Sequence, residues 1–243
     1  MSACWVVVPL KRLQDAKQRL SPALAPDARA TLARAMLAEV LAVIRQVSGL
    51  SGIALVTTER HLVPPGVLWI DDPGAGLNGA IASAAAELER RGATTMLVIP
   101  ADVPLVTATE IASLVSAGRT SSIVLASDRS RRGTNALLLT PPCLFEPHFG
   151  ADSFAEHITA ARVSGQEAII CDCPGLAFDI DWPRDLGELL ERRGDLVRGD
   201  ARHGARFGIQ EESSFCEQKE AKKLGQLRIA CAGLAAVDSN PYE

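Results

Sequence analysis

The strongest constraint on this chain is an alternation: short β-rich apolar runs are followed repeatedly by longer stretches with helical periodicity. That pattern builds βαβ units around a mostly parallel sheet with helices packed on it. Trp5-Val6-Val7-Val8 reads as the first strand, Ile53 to Thr57 as the second and Val67 to Ile70 as a shorter third. Between the first two, residues 26 to 47 carry Leu32, Met36, Val40, Leu41 and Ile44 at helical spacing. Gly76 to Arg91 reads as an Ala-rich helix closed by Gly92. The unbroken apolar run from Thr95 to Pro100 predicts a buried central strand. Thr107 with Glu110, and Ser153 with Glu156, have capping-box spacing, which predicts helices running to Gly118 and to about Gly165. Ile123 to Ser127, Ala136 to Leu139, Ala168 to Cys171 and Ala177 to Ile180 complete the expected sheet, and a last helix runs from Pro183 to Gly194. Beyond that point the periodicity degrades, so residues 1–194 are expected to form one domain and 195–243 an extension. Only Leu224 to Val237 keeps a sustained apolar character within the extension.

Charge and aromatic content exclude several classes of function. The formal charge is −4, with no long basic run, so bulk attraction to nucleic acid is not expected. Three Trp, one Tyr and six Phe leave few platforms for stacking bases. Lys11 and Arg12 follow the first apolar run instead of preceding it, unlike a signal peptide, and no charge-free stretch approaches the ~20 residues that cross a bilayer. A cytoplasmic protein acting on small molecules is expected. The six cysteines include no C-x-x-C pair and read as small packing residues.

Ligands of open α/β sheets gather at the carboxyl ends of strands, and four loops at such ends carry chemistry. Residues 9–21 hold Lys11, Arg12, Lys17 and Arg19 against the single acid Asp15, a local cation cluster suited to a triphosphate, although a solvated charged loop is the commoner meaning of such a run. No glycine lies there, so the loop is neither a Walker loop nor a dinucleotide fingerprint. Asp102 directly follows the central strand and sits between Pro100 and Pro104, a place for a carboxylate that holds Mg²⁺ on a phosphate or that caps a turn. Asp179 and Asp181 share one face if the segment is extended, and Asp181 also suits the N-cap of the last helix. Gly133-Thr134-Asn135 before a strand and Gly150-Ala151-Asp152-Ser153 before a helix together make an anion pocket of hydroxyls and backbone N–H groups. His157 lies one helical turn beyond Ser153, where a lone His is more often structural.

Taken in order, VPLKRL..AKQRLS, GAGLNGAI, VIPADVPLVT, GTNALLL, HFGADSFAEH and DIDWPRDL resemble the guanylyltransferases of deazaflavin coenzyme F420 biosynthesis and, more widely, MobA-type nucleotidyltransferases. The resemblance covers about residues 4–192. It implies an α/β, Rossmann-like nucleotidyltransferase domain, a GT-A-like three-layer sandwich with a mostly parallel central sheet. It further implies Mg²⁺-dependent transfer of GMP from GTP to phosphoenolpyruvate, 2-phospho-L-lactate or 3-phospho-D-glycerate. By motif match, Asp102 and Asp181 are the expected metal ligands, and Lys17 acts with them in catalysis. Thr134, Gly150 and Ser153 would hold the phospho-acid, while Lys11, Lys17 and Arg19 lie along the triphosphate and Leu77 and Asn78 near the nucleoside. A homodimer is common for such domains. One departure is visible: the family usually has Thr where Trp182 stands. The alternatives are transfer to molybdopterin or a sugar phosphate, and a nucleotide-binding sensor without turnover.

Overall fold

A computed structural model describes residues 3–200, with side chains to 192. The chain divides into two compact units: residues 3–16 with Ala33–Asp179, and Lys17–Leu32 with the segment from Ile180 onward. The Leu224–Val237 stretch, Cys216, Cys231 and most of the expected extension lie outside the described residues.

The larger unit holds a seven-stranded sheet. Its strands are β1 (Cys4–Pro9), β2 (Gly52–Val56), β3 (Leu68–Ile70), β4 (Thr95–Val98), β5 (Ile123–Ser127), β6 (Thr134–Leu139) and β7 (Ile169–Ile170). Their spatial order is β3-β2-β1-β4-β6-β5-β7. Every pairing is parallel except the two made by β6, which runs antiparallel to both β4 and β5. The expected mostly parallel α/β fold is therefore present, with one reversed strand beside the centre.

Helices cover both faces. α2 (Gly76–Arg90) and α4 (Ser153–Val163) share one core with alternate strand residues, including Ala80, Ile81, Leu88, Phe154 and Ala161 against Val7, Val56, Val98 and Leu137. The intervening residues Val6, Val8, Leu55, Leu97, Val124 and Leu138 are equally buried, as the two-residue period of a sheet covered on both sides requires. α3 (Ala108–Ala117) belongs to that second face, where Gly118 at its end leaves room for the Leu138 side chain. The remaining helices are α1 (Pro26–Ile44) and α5 (Pro183–Asp200). Among the described residues no helix is long and apolar enough to cross a membrane.

Two sequence expectations are corrected. Residues 177–180 are not a strand: Ala177 N–H bonds the Cys173 carbonyl and Phe178 N–H the Gly175 carbonyl, so the chain turns over residues 174–177 and then runs irregularly, with Phe178 and Ile180 buried without joining the ladder. The capping box forms at Thr107/Glu110 but not at Ser153/Glu156. There the Ser153 hydroxyl turns to the sheet, and the N-cap position is Asp152, in the left-handed region at φ +58°.

The Glu110 box does more than end a loop. Its Oε2 accepts Thr107 N–H at 2.9 Å, fixing the end of the Asp102 loop, while Oε1 accepts Gly175 N–H at 2.6 Å, fixing the turn that leads to Asp179. A Cβ at position 175 would collide with the Leu105 carbonyl oxygen and press on the Glu110 carboxylate. Gly175→Ala should therefore cost about 1–3 kcal/mol of unfolding free energy, read as a shifted midpoint in urea at unchanged slope, and Glu110→Ala should lose a similar amount.

Candidate active site

Reversal of β6 decides what meets at the carboxyl edge of the sheet in the larger unit. In an all-parallel sheet only strand ends would point there, but an antiparallel strand brings its beginning. The register Val98↔Leu137 and Met96↔Leu139 places Thr134 and Asn135 at the edge where β4 runs into the Asp102 loop. β1 leads there to Lys11 and Arg12, and β3 to α2 with Leu77 and Asn78 in its first turn.

At that edge the register of β6 against β5 slips: Ala126 pairs with Ala136, yet Ser127 pairs with Thr134, leaving Asn135 as the extra residue of a bulge. Strict alternation from Leu139 and Leu137 would turn Asn135 toward the α4 face; the bulge turns Thr134 there instead. Both residues are buried and bonded. Thr134 N–H donates to Ser153 Oγ at 2.9 Å, and Thr134 Oγ1 lies 2.9 Å from His157 Nδ1. Asn135 donates through Nδ2 to the Leu176 carbonyl at 2.8 Å, and the same nitrogen lies 3.4 Å from Asp179 Oδ1.

His157 is fully buried. It sits against Phe149 edge-on at 5.0 Å between ring centres, and its Nε2 accepts the backbone N–H of His148 at 3.0 Å. The next residue of that loop is tied to α2: Phe149 N–H donates to Asn78 Oδ1 at 2.7 Å and Asn78 Nδ2 donates to the Phe149 carbonyl at 3.0 Å. Gly150 follows at φ +149°, a backbone that a side chain would strain. The expected free N–H groups of α4 are already used. Phe154 bonds the Arg132 carbonyl, and Ala155 and Glu156 bond that of Asp152, while Ser153 reaches Gly150 only at 3.4 Å. An anion would be met by hydroxyls more than by helix N–H groups.

The smaller unit gathers a second set. Lys17, with φ +54°, donates from a side chain 9% exposed to Asp181 Oδ1 at 3.1 Å, and Arg19 NH1 donates to Oδ2 at 2.6 Å. Asp181 is thus paired with two cations and does not cap α5. That task falls to Asp185, whose Oδ2 accepts the backbone N–H groups of both Asp181 and Trp182. Trp182 keeps its N–H in this cap, and its ring carries the Arg19 guanidinium at 5.3 Å. Two bases on one acid leave a net positive charge, which suits a phosphate as a further partner.

Of the expected residues, Thr134, Ser153 and Gly150 come together in the larger unit and Lys17, Arg19 and Asp181 in the smaller. Asp102 and Lys11 stand on separate loops at the carboxyl edge, and Leu77, in the first turn of α2, packs on the core. Asn135 and His157 join the polar cluster without having been singled out as ligands by the sequence. Among the described residues no three His, Cys, Asp or Glu side chains form a metal-binding group.

A parallel-dominated sheet with polar groups and carboxylates at its carboxyl edge is the architecture of the α/β nucleotidyltransferases, and the chain is an enzyme of that class. Residues 4–209 match the family described as Guanylyl transferase CofC like, and the chain belongs to it. A phosphoenolpyruvate guanylyltransferase of Sphaerobacter thermophilus is 43% identical over 187 residues, 75% of this chain and 90% of the relative. The enzymes of the same name from Chloroflexus aggregans and Rubrobacter xylanophilus are 39% and 36% identical, over 72% and 80% of this chain and 91% and 97% of theirs. Among solved structures, one assigned as a nucleotide-diphospho-sugar transferase from Desulfovibrio desulfuricans G20 has a TM-score of 0.66 at 14% identity, covering 95% of this chain and 99% of its own. The 4-diphosphocytidyl-2C-methyl-D-erythritol synthase of Anaerococcus prevotii has a TM-score of 0.55 at 8% identity, covering 81% and 96%. At such identities these structures share the fold.

Burial, helped by the neighbouring His148, lowers the pKa of His157 from 6.5 to about 4. The folded chain then keeps His157 neutral while the unfolded chain protonates it below 6.5, so stability is full above that pH and falls as pH drops toward 4. At 1.36 kcal/mol per pH unit the loss is of order 3 kcal/mol. Urea unfolding at pH 7 and pH 4.5 should show that loss, and His157→Phe should lose less between the same two pH values.

Proposed function

We propose that this enzyme transfers the guanylyl group of GTP to a phosphorylated three-carbon acid, with phosphoenolpyruvate as the acceptor, in the formation of coenzyme F420. The single observation that carries the reading is the buried pair of hydroxyls on Thr134 and Ser153, held side by side at the carboxyl edge in a chain whose relatives are named for this acceptor. Hydroxyl donors without a fixed charge suit a small anion that must bind and leave.

In the proposed reaction a phosphate oxygen of the acceptor attacks the α-phosphorus of GTP in line. The bond from that phosphorus to the β-phosphate bridge breaks, and diphosphate leaves. Positioning and charge neutralisation carry most of such a transfer, so no protein nucleophile is invoked. Thr134, Ser153 and the Gly150 backbone orient the acceptor. Lys17, Arg19 and Lys11 bind the triphosphate, and Leu77 and Asn78 lie toward the nucleoside. With its carboxamide committed to Phe149, Asn78 links the nucleoside side to the acceptor loop.

Asp102 and Asp181 are the proposed carboxylates for Mg²⁺. They suit it in kind, as hard oxygen donors, and in number, because Mg²⁺ on a nucleotide commonly uses one or two carboxylates plus phosphate oxygens and waters. The pairing of Asp181 with Lys17 and Arg19 leaves lone pairs on both oxygens. When bound, the ion neutralises charge on the α- and β-phosphates. Asp179, beside Asn135, is positioned by the amide to assist. Residues 1–194 are proposed as the catalytic part, 195–243 as an extension, and the setting as cytoplasmic, with a homodimer as the assembly.

Diphosphate release decides the reading. With GTP, phosphoenolpyruvate should support turnover above 2-phospho-L-lactate and 3-phospho-D-glycerate, and ATP or CTP should not replace GTP. Asp102→Asn should lower the rate by about 100-fold or more, the scale of removing one electrostatic stabiliser. Release with molybdopterin or a sugar phosphate, and none with any of the three acids, would overturn it.

A further inference from the structure

His157 is fully buried, and its two ring nitrogens are spoken for in a way that fixes the direction of the hydrogen bonds around Thr134. The backbone N–H of His148 donates to Nε2 at 3.0 Å, so Nε2 must present a lone pair. A proton on Nε2, in the other neutral tautomer or in the cation, would set two hydrogens against each other. The ring proton therefore sits on Nδ1. Nδ1–H then donates to Thr134 Oγ1 at 2.9 Å. The adjoining hydroxyl is filled in the same sense, because Thr134 N–H donates to Ser153 Oγ at 2.9 Å. Each oxygen accepts from the protein, and each hydroxyl keeps its own proton to give away.

We infer that His157 is a positioning residue that makes the acceptor site a donor site. Held as the Nδ1–H tautomer by His148, it obliges Thr134 to offer its hydroxyl proton to the phosphate or carboxylate oxygens of the bound acid, beside the parallel offer from Ser153. The inference rests on the acceptor-site reading above. It adds a preference: with one lone pair of each oxygen filled by the protein, each hydroxyl has its proton left for a ligand atom with lone pairs. Burial makes the arrangement rigid, with His157 0%, Ser153 1% and Thr134 4% exposed. Phe149 packs edge-on against the imidazole, and its own N–H is held by Asn78, so the loop carrying the His148 donor is tied at its next residue. The His148 ring centre lies 6.2 Å from that of His157, and the Glu156 carboxylate lies 3.8 Å from His148 Nδ1.

Nitrogen-15 NMR of histidine-labelled full-length protein, without substrates, tests the tautomer independently of any activity. His157 should show a protonated Nδ1 and a bare Nε2 at neutral pH; a protonated Nε2 or an imidazolium would overturn the inference even if the enzyme is fully active. Steady-state kinetics then test the consequence. His157→Phe keeps the ring and removes the donor, and it should raise the KM for phosphoenolpyruvate about 10- to 100-fold, the worth of a hydrogen bond to a charged group. The KM for GTP should change less than about threefold, within the ordinary scatter of a mutant, and His157→Asn, whose amide offers a donor near the Nδ1 position, should recover most of the loss. An unchanged acceptor KM in folded His157→Phe, or equal rises in both KM values, would contradict the role. If the wild-type protein releases no diphosphate with any phospho-acid, the functional reading falls, and the NMR result alone decides the tautomer.

Discussion

Everything at the candidate site of the larger unit depends on one reversal in hydrogen-bond pattern. β6 is inserted antiparallel between β4 and β5, strands that otherwise run with the rest of the sheet. Parallel sheets expose only strand ends at their carboxyl edge, which supply loops and carboxylates. The reversed strand adds its first residues: Thr134 pairs with Ser127 and gives its N–H to Ser153 Oγ, while Asn135, the extra residue of the bulge, is held by its side-chain bond to the Leu176 carbonyl. Thr134 and Asn135 gain the rigidity that a binding group needs. The bulge between them turns the two side chains to different tasks, Thr134 to Ser153 and His157, Asn135 to Leu176 and the Asp179 carboxylate. A straight β6 would have exchanged them.

Such a polar interior is stable only because its members satisfy one another. A buried hydroxyl, amide or imidazole without a partner costs about 1–3 kcal/mol, and Thr134, Asn135, Ser153 and His157 each have one. The same economy appears in the smaller unit, where Asp185 receives two backbone N–H groups and Asp181 two cations. Lys17 holds a left-handed backbone conformation there, a local strain of about 1–3 kcal/mol that tends to persist where a side chain is needed in one place.

Much of this was legible in the chain, and what was missed has a physical cause. Apolar runs such as Thr95–Val98 announce buried strands because a strand covered on both faces has no polar side. Direction carries no such mark: nothing in Ala136–Leu139 says that β6 runs backwards, since the pairing partner decides it. Leu176, Phe178 and Ile180 alternate with smaller or polar residues as a strand would, yet they lie in a turn and the irregular chain after it, for burial alone does not make a ladder. Ser153 and Glu156 have the spacing of a capping box, but Thr134 N–H competes for the hydroxyl and wins. Asp181 has a cap's position, but its carboxylate is held by Lys17 and Arg19, and Asp185 reaches back from the first turn to accept the N–H groups of Asp181 and Trp182. The spacing makes His157 more often structural than a ligand, but its bonds to Thr134 and His148 arise only when α4 folds over the end of β6, a contact that spacing along the chain does not reveal.

The central claim is that an oxygen of the acceptor's phosphate becomes the bridge to the α-phosphorus of GTP. Phosphorus-31 NMR of the reaction with phosphoenolpyruvate labelled with oxygen-18 in its phosphate tests that claim directly. Transfer through that oxygen gives a product with two coupled phosphorus resonances, the isotope shift of an oxygen-18 bridge on the guanylyl phosphorus, and unlabelled diphosphate. An unlabelled bridge, oxygen-18 in the diphosphate, or diphosphate formed without any coupled product would contradict it.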